Sequence, residues 1–316
     1  MNYILRILSV RRNEVPRLLL ASAVFFLAQV DDGIVKSVAS AVFNVRAGVD
    51  KLPLMYTWIA VVFSLSMALL SWLTSKVARQ RLLLGLMVFV AAALMTNALL
   101  LFYDHQSASA LGGTAYAFLF VSSELARTLM NFQIWIVAGG ICYTSRAKVL
   151  FPLLASSAVL GDIAGGFTVQ LLSGLLAAHM LYALAVFNMV VVLFLLRQLL
   201  RRYFVVQEDG EEEAGASMGE NLRYFLSTPY LLLLFVLSIA VFALYTAIHY
   251  GFNVLGREHF STESEITEFF GLFFGLTGVA TLLVTTFLLQ RLLPSFRALR
   301  YASFAHIPPC TCSKEP

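Results

Sequence analysis

Residues 230–250 read YLLLLFVLSIAVFALYTAIHY, a run of 21 positions without a single Asp, Glu, Lys or Arg. A helix rises about 1.5 Å per residue, so roughly 20 apolar residues cross the ~30 Å hydrocarbon core of a bilayer. Lipid offers the backbone no hydrogen bonds, so a stretch of this kind closes its own as a helix. The chain does not show the short alternating segments of a membrane β-barrel.

The same pattern recurs on both sides of this run. Spans are expected near Arg17–Phe43, Leu54–Leu73, Leu82–Tyr103, Gly112–Ile141, Val149–Leu176, Met180–Leu196, Tyr230–Tyr250 and Phe269–Leu289, about eight in all. Composition agrees: of 316 residues, 59% are hydrophobic and 13% charged, about half the ~25% that a water-facing surface requires. The expected fold class is therefore an all-α, polytopic membrane helix bundle. The basic start (Arg6, Arg11, Arg12, Arg17) leads into a long span that contains charges and has no A-x-A site. It reads as a retained helix, not a cleaved signal. Trp58, Trp72 and Trp135 are candidates for anchors at the membrane interface.

Basic residues sort the connections. Lys76, Arg79 and Arg81 follow the second span, Arg146 and Lys148 the fourth, Arg197, Arg201 and Arg202 the sixth, and Arg291, Arg297 and Arg300 the eighth. The alternate connections, around Asp104-His105 and His179, are poorer in Lys and Arg; Arg46 and Lys51 are a mild exception. The positive-inside rule then places both termini in the cytoplasm of a plasma (inner) membrane protein. Residues 207–220, with Glu208, Asp209, Glu211, Glu212 and Glu213, have too little apolar area to pack and read as a flexible cytoplasmic linker. They divide the chain into a six-helix bundle at 1–198, a linker at 199–228, two helices of an incomplete second bundle at 229–293, and an irregular tail at 294–316. Tyr301–Pro316 holds three of the eight prolines and two of the three cysteines, and reads as a truncated or altered end. Cys142, Cys310 and Cys312 form no disulfide framework or metal motif.

Ionic side chains inside spans are the most informative feature, because each costs roughly 2.5–3.5 kcal/mol at mid-bilayer unless paired or hydrated. Asp32 and Lys36 are four apart, share a helix face and are expected to neutralise each other. Asp31 points about 100° away and needs another partner. Glu124 and Arg127 are three apart, with Asn131 a turn further on. His249 closes the seventh span, and Asp162 is expected to pair with loop arginines. The candidate substrate-binding set is Lys36, Glu124, Arg127, Asp31, Asp32, Asn131 and His249. On this reading Lys36 and Arg127 meet an anionic ligand in a polar cavity. The structural alternative is that the same residues are ion pairs holding the bundle together. The glycines of 161–166 and of 271–278 read as close helix contacts.

No P-loop, G-x-S-x-G, H-E-x-x-H or dinucleotide fingerprint occurs, and the five histidines are scattered. No enzyme activity, cofactor, metal site or nucleic-acid partner is expected. Ser71–Arg81 resembles the signature loop of the major facilitator superfamily, departing at Ser71, Ser75 and Ala78. Ser123-Glu124-Leu125 through Trp135, then Arg146–Leu153 with its Ala-Lys-x-x-Phe-Pro-Leu, is similar to the nucleotide (ATP/ADP) transporter family of bacteria and plastids and its bacterial relatives. Glu268–Gly271 resembles a motif of those relatives, and the likeness covers most of Val15–Leu293. The resemblance implies an alternating-access carrier of about twelve spans whose first, fourth and seventh helices line a central cavity. About eight spans here would make the chain a shortened member. The Asp31-Asp32 pair and the missing Trp after Leu125 depart from the nucleotide carriers. The resulting expectation is a secondary transporter for a nucleotide or another anionic metabolite, with a membrane sensor, an assembly protein or an inactive shortened carrier as the rival. Substrate identity, coupling ion and oligomeric state are not written in the sequence.

Overall fold

The computed structural model describes residues 14–74, 76–106, 112–141, 147–203 and 218–285. Among them lie nine α-helices and no strand. They are α1 (Val15–Arg46), α2 (Leu52–Thr74), α3 (Arg79–Gln106), α4 (Gly113–Ile141), α5 (Ala147–Leu172), α6 (Ala178–Tyr203), the short α7 (Met218–Ser227), α8 (Pro229–His259) and α9 (Glu263–Leu283). Most of the expected acidic linker, Cys142, Arg146, Cys310, Cys312 and the tail from 294 onward lie outside the described residues.

Local chemistry sets several boundaries. Pro16 and Pro229 sit in the first turns of α1 and α8, where a missing N–H costs no hydrogen bond. Gly48, at φ +96°, turns the chain from α1 into the 3-10 turn Val49–Lys51, a backbone region open to glycine. Thr262 and Glu265 form a capping box at the head of α9: the Glu265 N–H donates to Thr262 Oγ1 at 3.3 Å, and the Thr262 N–H donates to Glu265 Oε2 at 3.2 Å. That box starts α9 six residues before the expected Phe269. α8 runs past Tyr250 to His259 although its apolar run has ended and Gly251 and Gly256 disfavour a helix.

Seven of the helices are long and apolar enough to cross a membrane: α1, α2 with its preceding 3-10 turn, α3, α5, α6, α8 and α9. The protein is a polytopic helical membrane protein. α4, expected as the fourth span, is 29 residues long yet is not among the seven. Ser122, Ser123, Glu124, Arg127, Thr128, Asn131 and Gln133 dilute its apolar run.

α1 is the central helix and packs on α4, α5, α6 and α9. α2 and α8 stand at the periphery; none of the apolar stretch of α8 is buried. α3, α4 and α6 are tied by a satisfied polar network. Asn97 Nδ2 donates to Ser123 Oγ at 3.0 Å, Ser122 Oγ donates to Asn97 Oδ1 at 2.9 Å, and Ser123 Oγ lies 2.7 Å from Tyr182 Oη. α8 leans on α9 through phenylalanines, the rings of Phe252 and Phe273 stacking with centroids 3.9 Å apart.

Glycines let α5 lie between α1 and α9. A Cβ on Gly165 would come within 2.6 Å of Val30 O on α1, and one on Gly166 within 2.5 Å of Gly275 N and 2.7 Å of Gly271 O on α9. The expected close helix contacts are present. Gly166→Leu should force α5 and α9 apart and destabilise the protein by about 1–3 kcal/mol. Gly85→Leu, whose added side chain starts in open space, should not. Thermal unfolding of both variants in detergent checks this, and equal stability would contradict the seam.

Candidate functional site

Helical spacing on α4 puts Glu124, Arg127, Thr128 and Asn131 on one face, three and four residues apart. That face meets Asp32 of α1. Arg127 donates from Nε to Asp32 Oδ1 and from Nη2 to Asp32 Oδ2, both at 3.1 Å, and from Nη1 to Glu124 Oε1 at 2.7 Å. One planar guanidinium thus serves two carboxylates, with a bidentate grip on the first. Asn131 Nδ2 donates to Asp32 Oδ1 at 2.9 Å, and Asn131 Oδ1 accepts from Gln29 Nε2 at 2.5 Å. Asp32 is 6% exposed, so the fork balances a charge that water scarcely reaches.

The expected Asp32–Lys36 pair does not form. Asp32 is held by Arg127 and Asn131, and the Lys36 ammonium sits 3.7 Å above the centre of the Phe274 ring on α9. Among the described residues Lys36 has no carboxylate within ion-pair distance. The Glu124–Arg127 pair forms as spacing predicts. Asp162 departs from its expected loop partners. It lies midway along α5 and its charge is felt together with those of Asp32, Lys36 and Arg127. Its distance in sequence from the other ionic residues hid this meeting.

His249 lies 3.2 Å from Tyr56 Oη and 3.1 Å from Asn253 Nδ2. Its ring lies nearly parallel to that of Phe274, the centroids 6.2 Å apart. Lys36 and His249 therefore both attend the Phe274 ring, whose role nothing in the sequence marked. A cavity of about 290 Å³ opens between α2, α4 and α8, lined by Tyr56, Phe63, Glu124, Arg127, Tyr245 and His249 among others. Asp32, Lys36 and Asn131 do not line it, and neither does Asp31. That side chain is 1% exposed and turns toward α3, α4 and α6.

A second cluster stands at the end of the bundle where α1 and α3 finish and α9 begins. Arg46 there bridges Asp104 on α3 and Glu263 on α9, donating to Glu263 Oε2 at 2.7 Å. Beside it the rings of His105 and His179 lie with centroids 4.5 Å apart and their planes tilted by 31°, and a cavity of about 260 Å³ lies among these groups. Among the described residues no group of His, Cys, Asp and Glu could hold a metal ion.

The chain matches no protein-family model, no curated protein and no solved structure. What the site can do is therefore argued from its own chemistry. Its cations and carboxylates make a polar patch inside an apolar bundle, and its wall on α2 and α8 is aromatic.

Thr128 lines the cavity, while its neighbour Leu129 is 2% exposed in the packed interior. With the three native cysteines replaced by serine, Thr128→Cys should react with a charged, membrane-impermeant thiol reagent far faster than Leu129→Cys. Equal rates would show that water does not enter the cavity.

Proposed function

We propose that this protein is a secondary transporter that carries a small organic anion across a plasma (inner) membrane by alternating access. The observation that carries this reading is Lys36, an ammonium inside the bundle with an aromatic ring for a neighbour and, among the described residues, no carboxylate within ion-pair distance. A cation that no carboxylate grips directly is costly in an apolar interior. A ligand bearing phosphate or carboxylate removes that cost on binding. Arg127, by contrast, already has two carboxylates, so in this account it organises the site and Lys36 receives the anion.

The first, fourth and seventh expected spans, α1, α4 and α8, bring Asp32, Lys36, Glu124, Arg127 and His249 to one region, which is where a major-facilitator carrier would hold its substrate. We take α4 as an eighth crossing helix, since its polar residues face α1 and the cavity instead of lipid, and we place both termini in the cytoplasm. The aromatic walls at Tyr56, Phe63 and Tyr245 suit a flat ring carrying an anionic group, such as a nucleotide or a smaller aromatic acid. The cavity volume is at the low end of the ~300–1,000 Å³ common for ligand sites, which favours the smaller ligand. Transport would need rocking of packed helices about this midplane site and no covalent chemistry.

Purified protein in liposomes, offered labelled nucleotides, phosphate and small aromatic carboxylates, should take up at least one of them. A well-folded sample that takes up none removes the carrier reading and leaves a non-transporting membrane protein. Lys36→Ala should weaken binding of the transported anion by roughly ten- to a hundredfold with little change in thermal stability, and Lys36→Arg should recover part of it. Unchanged binding in Lys36→Ala would contradict the assignment.

A further inference from the structure

The cavity beside Arg127 is walled by two stripes of side chains. Tyr56, Ile59, Ala60 and Phe63 on α2, and Phe242, Tyr245, Thr246 and His249 on α8, each fall at i, i+3, i+4 and i+7, one face of a helix. Tyr56 Oη lies 3.2 Å from His249 Nδ1 and ties the stripes together at one end. Otherwise the two helices pack mainly on other partners, α2 on α4 and α8 on α1, α7 and α9. Phe242 is 68% and Tyr245 52% exposed although both line the cavity. None of the apolar stretch of α8 is buried. Among the described residues, then, the cavity opens sideways between α2 and α8, toward hydrocarbon.

The floor of this slot is of the opposite kind. Glu124, Arg127 and Thr128 of α4 form it, and the paired Glu124 and Arg127 side chains are 19% and 13% exposed. Acyl chains offer an ion pair no hydrogen bond, and polar groups left against them are costly. Water would satisfy the floor but leave the aromatic stripes wet. An amphiphile satisfies both, with its head on the floor and its chain between the stripes. Arg127 uses three of the five N–H donors of a guanidinium on Asp32 and Glu124. The donors left over call for a head that accepts hydrogen bonds and carries negative charge.

We propose that the slot between α2 and α8 binds a single-chain lipid whose head bears a phosphate or carboxylate, and that this bilayer-borne amphiphile is the substrate. Its carriage rests on the carrier reading; its seat in the slot does not. The cavity, about 290 Å³, then has to hold only the head and the start of the chain, while the rest lies between the helices. Entry is sideways from the bilayer, and no bond is made or broken.

The test uses the full chain in lipid nanodiscs and a stearate with a photoactivatable diazirine on its chain. Label should concentrate on Phe63, Phe242 and Tyr245. Unlabelled lysophosphatidate should compete it away, and a monoacylglycerol of the same chain should not. Ala60→Trp and Thr246→Trp, which fill the slot from its two walls, should each lower labelling there roughly ten- to a hundredfold at unchanged thermal stability. Leu69→Trp, on the opposite face of α2 and at a position 59% exposed, should not. Label spread evenly over the outer faces of α2 and α8 is ordinary lipid contact and overturns the site. So does a slot left unlabelled because a second copy or another segment of the chain covers it. Equal competition by the monoacylglycerol overturns the anionic head. In liposomes the wild type should speed passage of labelled lysophosphatidate between leaflets, read as the fraction that albumin cannot extract, and Ala60→Trp should not. Slot labelling without passage overturns the lipid as substrate and leaves its site standing; if no other anion is taken up either, the carrier reading falls with it. Uptake of a water-soluble anion by a protein whose slot takes no label overturns the lipid site and leaves the carrier reading intact.

Discussion

The Arg127 guanidinium, gripping Asp32 with two nitrogens and Glu124 with a third, is the interaction on which the rest of this structure depends. Without it α1 would carry an unbalanced carboxylate into the centre of the bundle, and α4 would carry an unbalanced cation. The penalty for leaving either partner alone is on the order of 3–5 kcal/mol, comparable with a good part of a protein's whole stability. The fork therefore fixes which face of α4 meets α1. It also takes Asp32 away from Lys36, whose ammonium lies over the Phe274 ring instead.

The glycine seam serves the same end by a different means. Apolar helices in lipid gain little from the hydrophobic effect and associate through close packing. Gly33, Gly161 and Gly165 let α5 press against α1, and Gly166, Gly271 and Gly278 let α9 press against α5. That closeness brings Phe274 of α9 under Lys36 of α1 and Asp162 of α5 toward both. A dry, tightly packed half of the bundle thus confronts an open half, where α2 and α8 leave a cavity with aromatic walls.

Much of the fold was legible because lipid imposes length and apolarity on each crossing helix. The run at 230–250 and its counterparts locate α1, α2, α3, α5, α6, α8 and α9 without reference to any contact. The head of α9 was also readable, since Thr262 and Glu265 carry the spacing of a capping box, but the expected span counted only apolar residues and began at Phe269. Within the site, the Glu124–Arg127 pair was legible because both partners lie on one helix. Asp32 and Lys36 failed for the complementary reason. Four-residue spacing shows that two charges share a face, not that they prefer each other to an arginine arriving from another helix. The role of Phe274 and the neighbours of Asp162 escaped for the same cause, as both come from packing between helices distant in sequence.

The central claim is that Asp32 and Arg127 are stable inside the bundle only as a pair. A double-mutant cycle on Asp32→Asn and Arg127→Gln, read from reversible unfolding in mixed micelles, tests it directly. The account predicts that each single variant loses about 3–5 kcal/mol and that the double variant loses clearly less than the sum, a coupling of roughly 1–3 kcal/mol. Additive losses, within about 0.5 kcal/mol, would mean that the two side chains do not depend on each other and would contradict it.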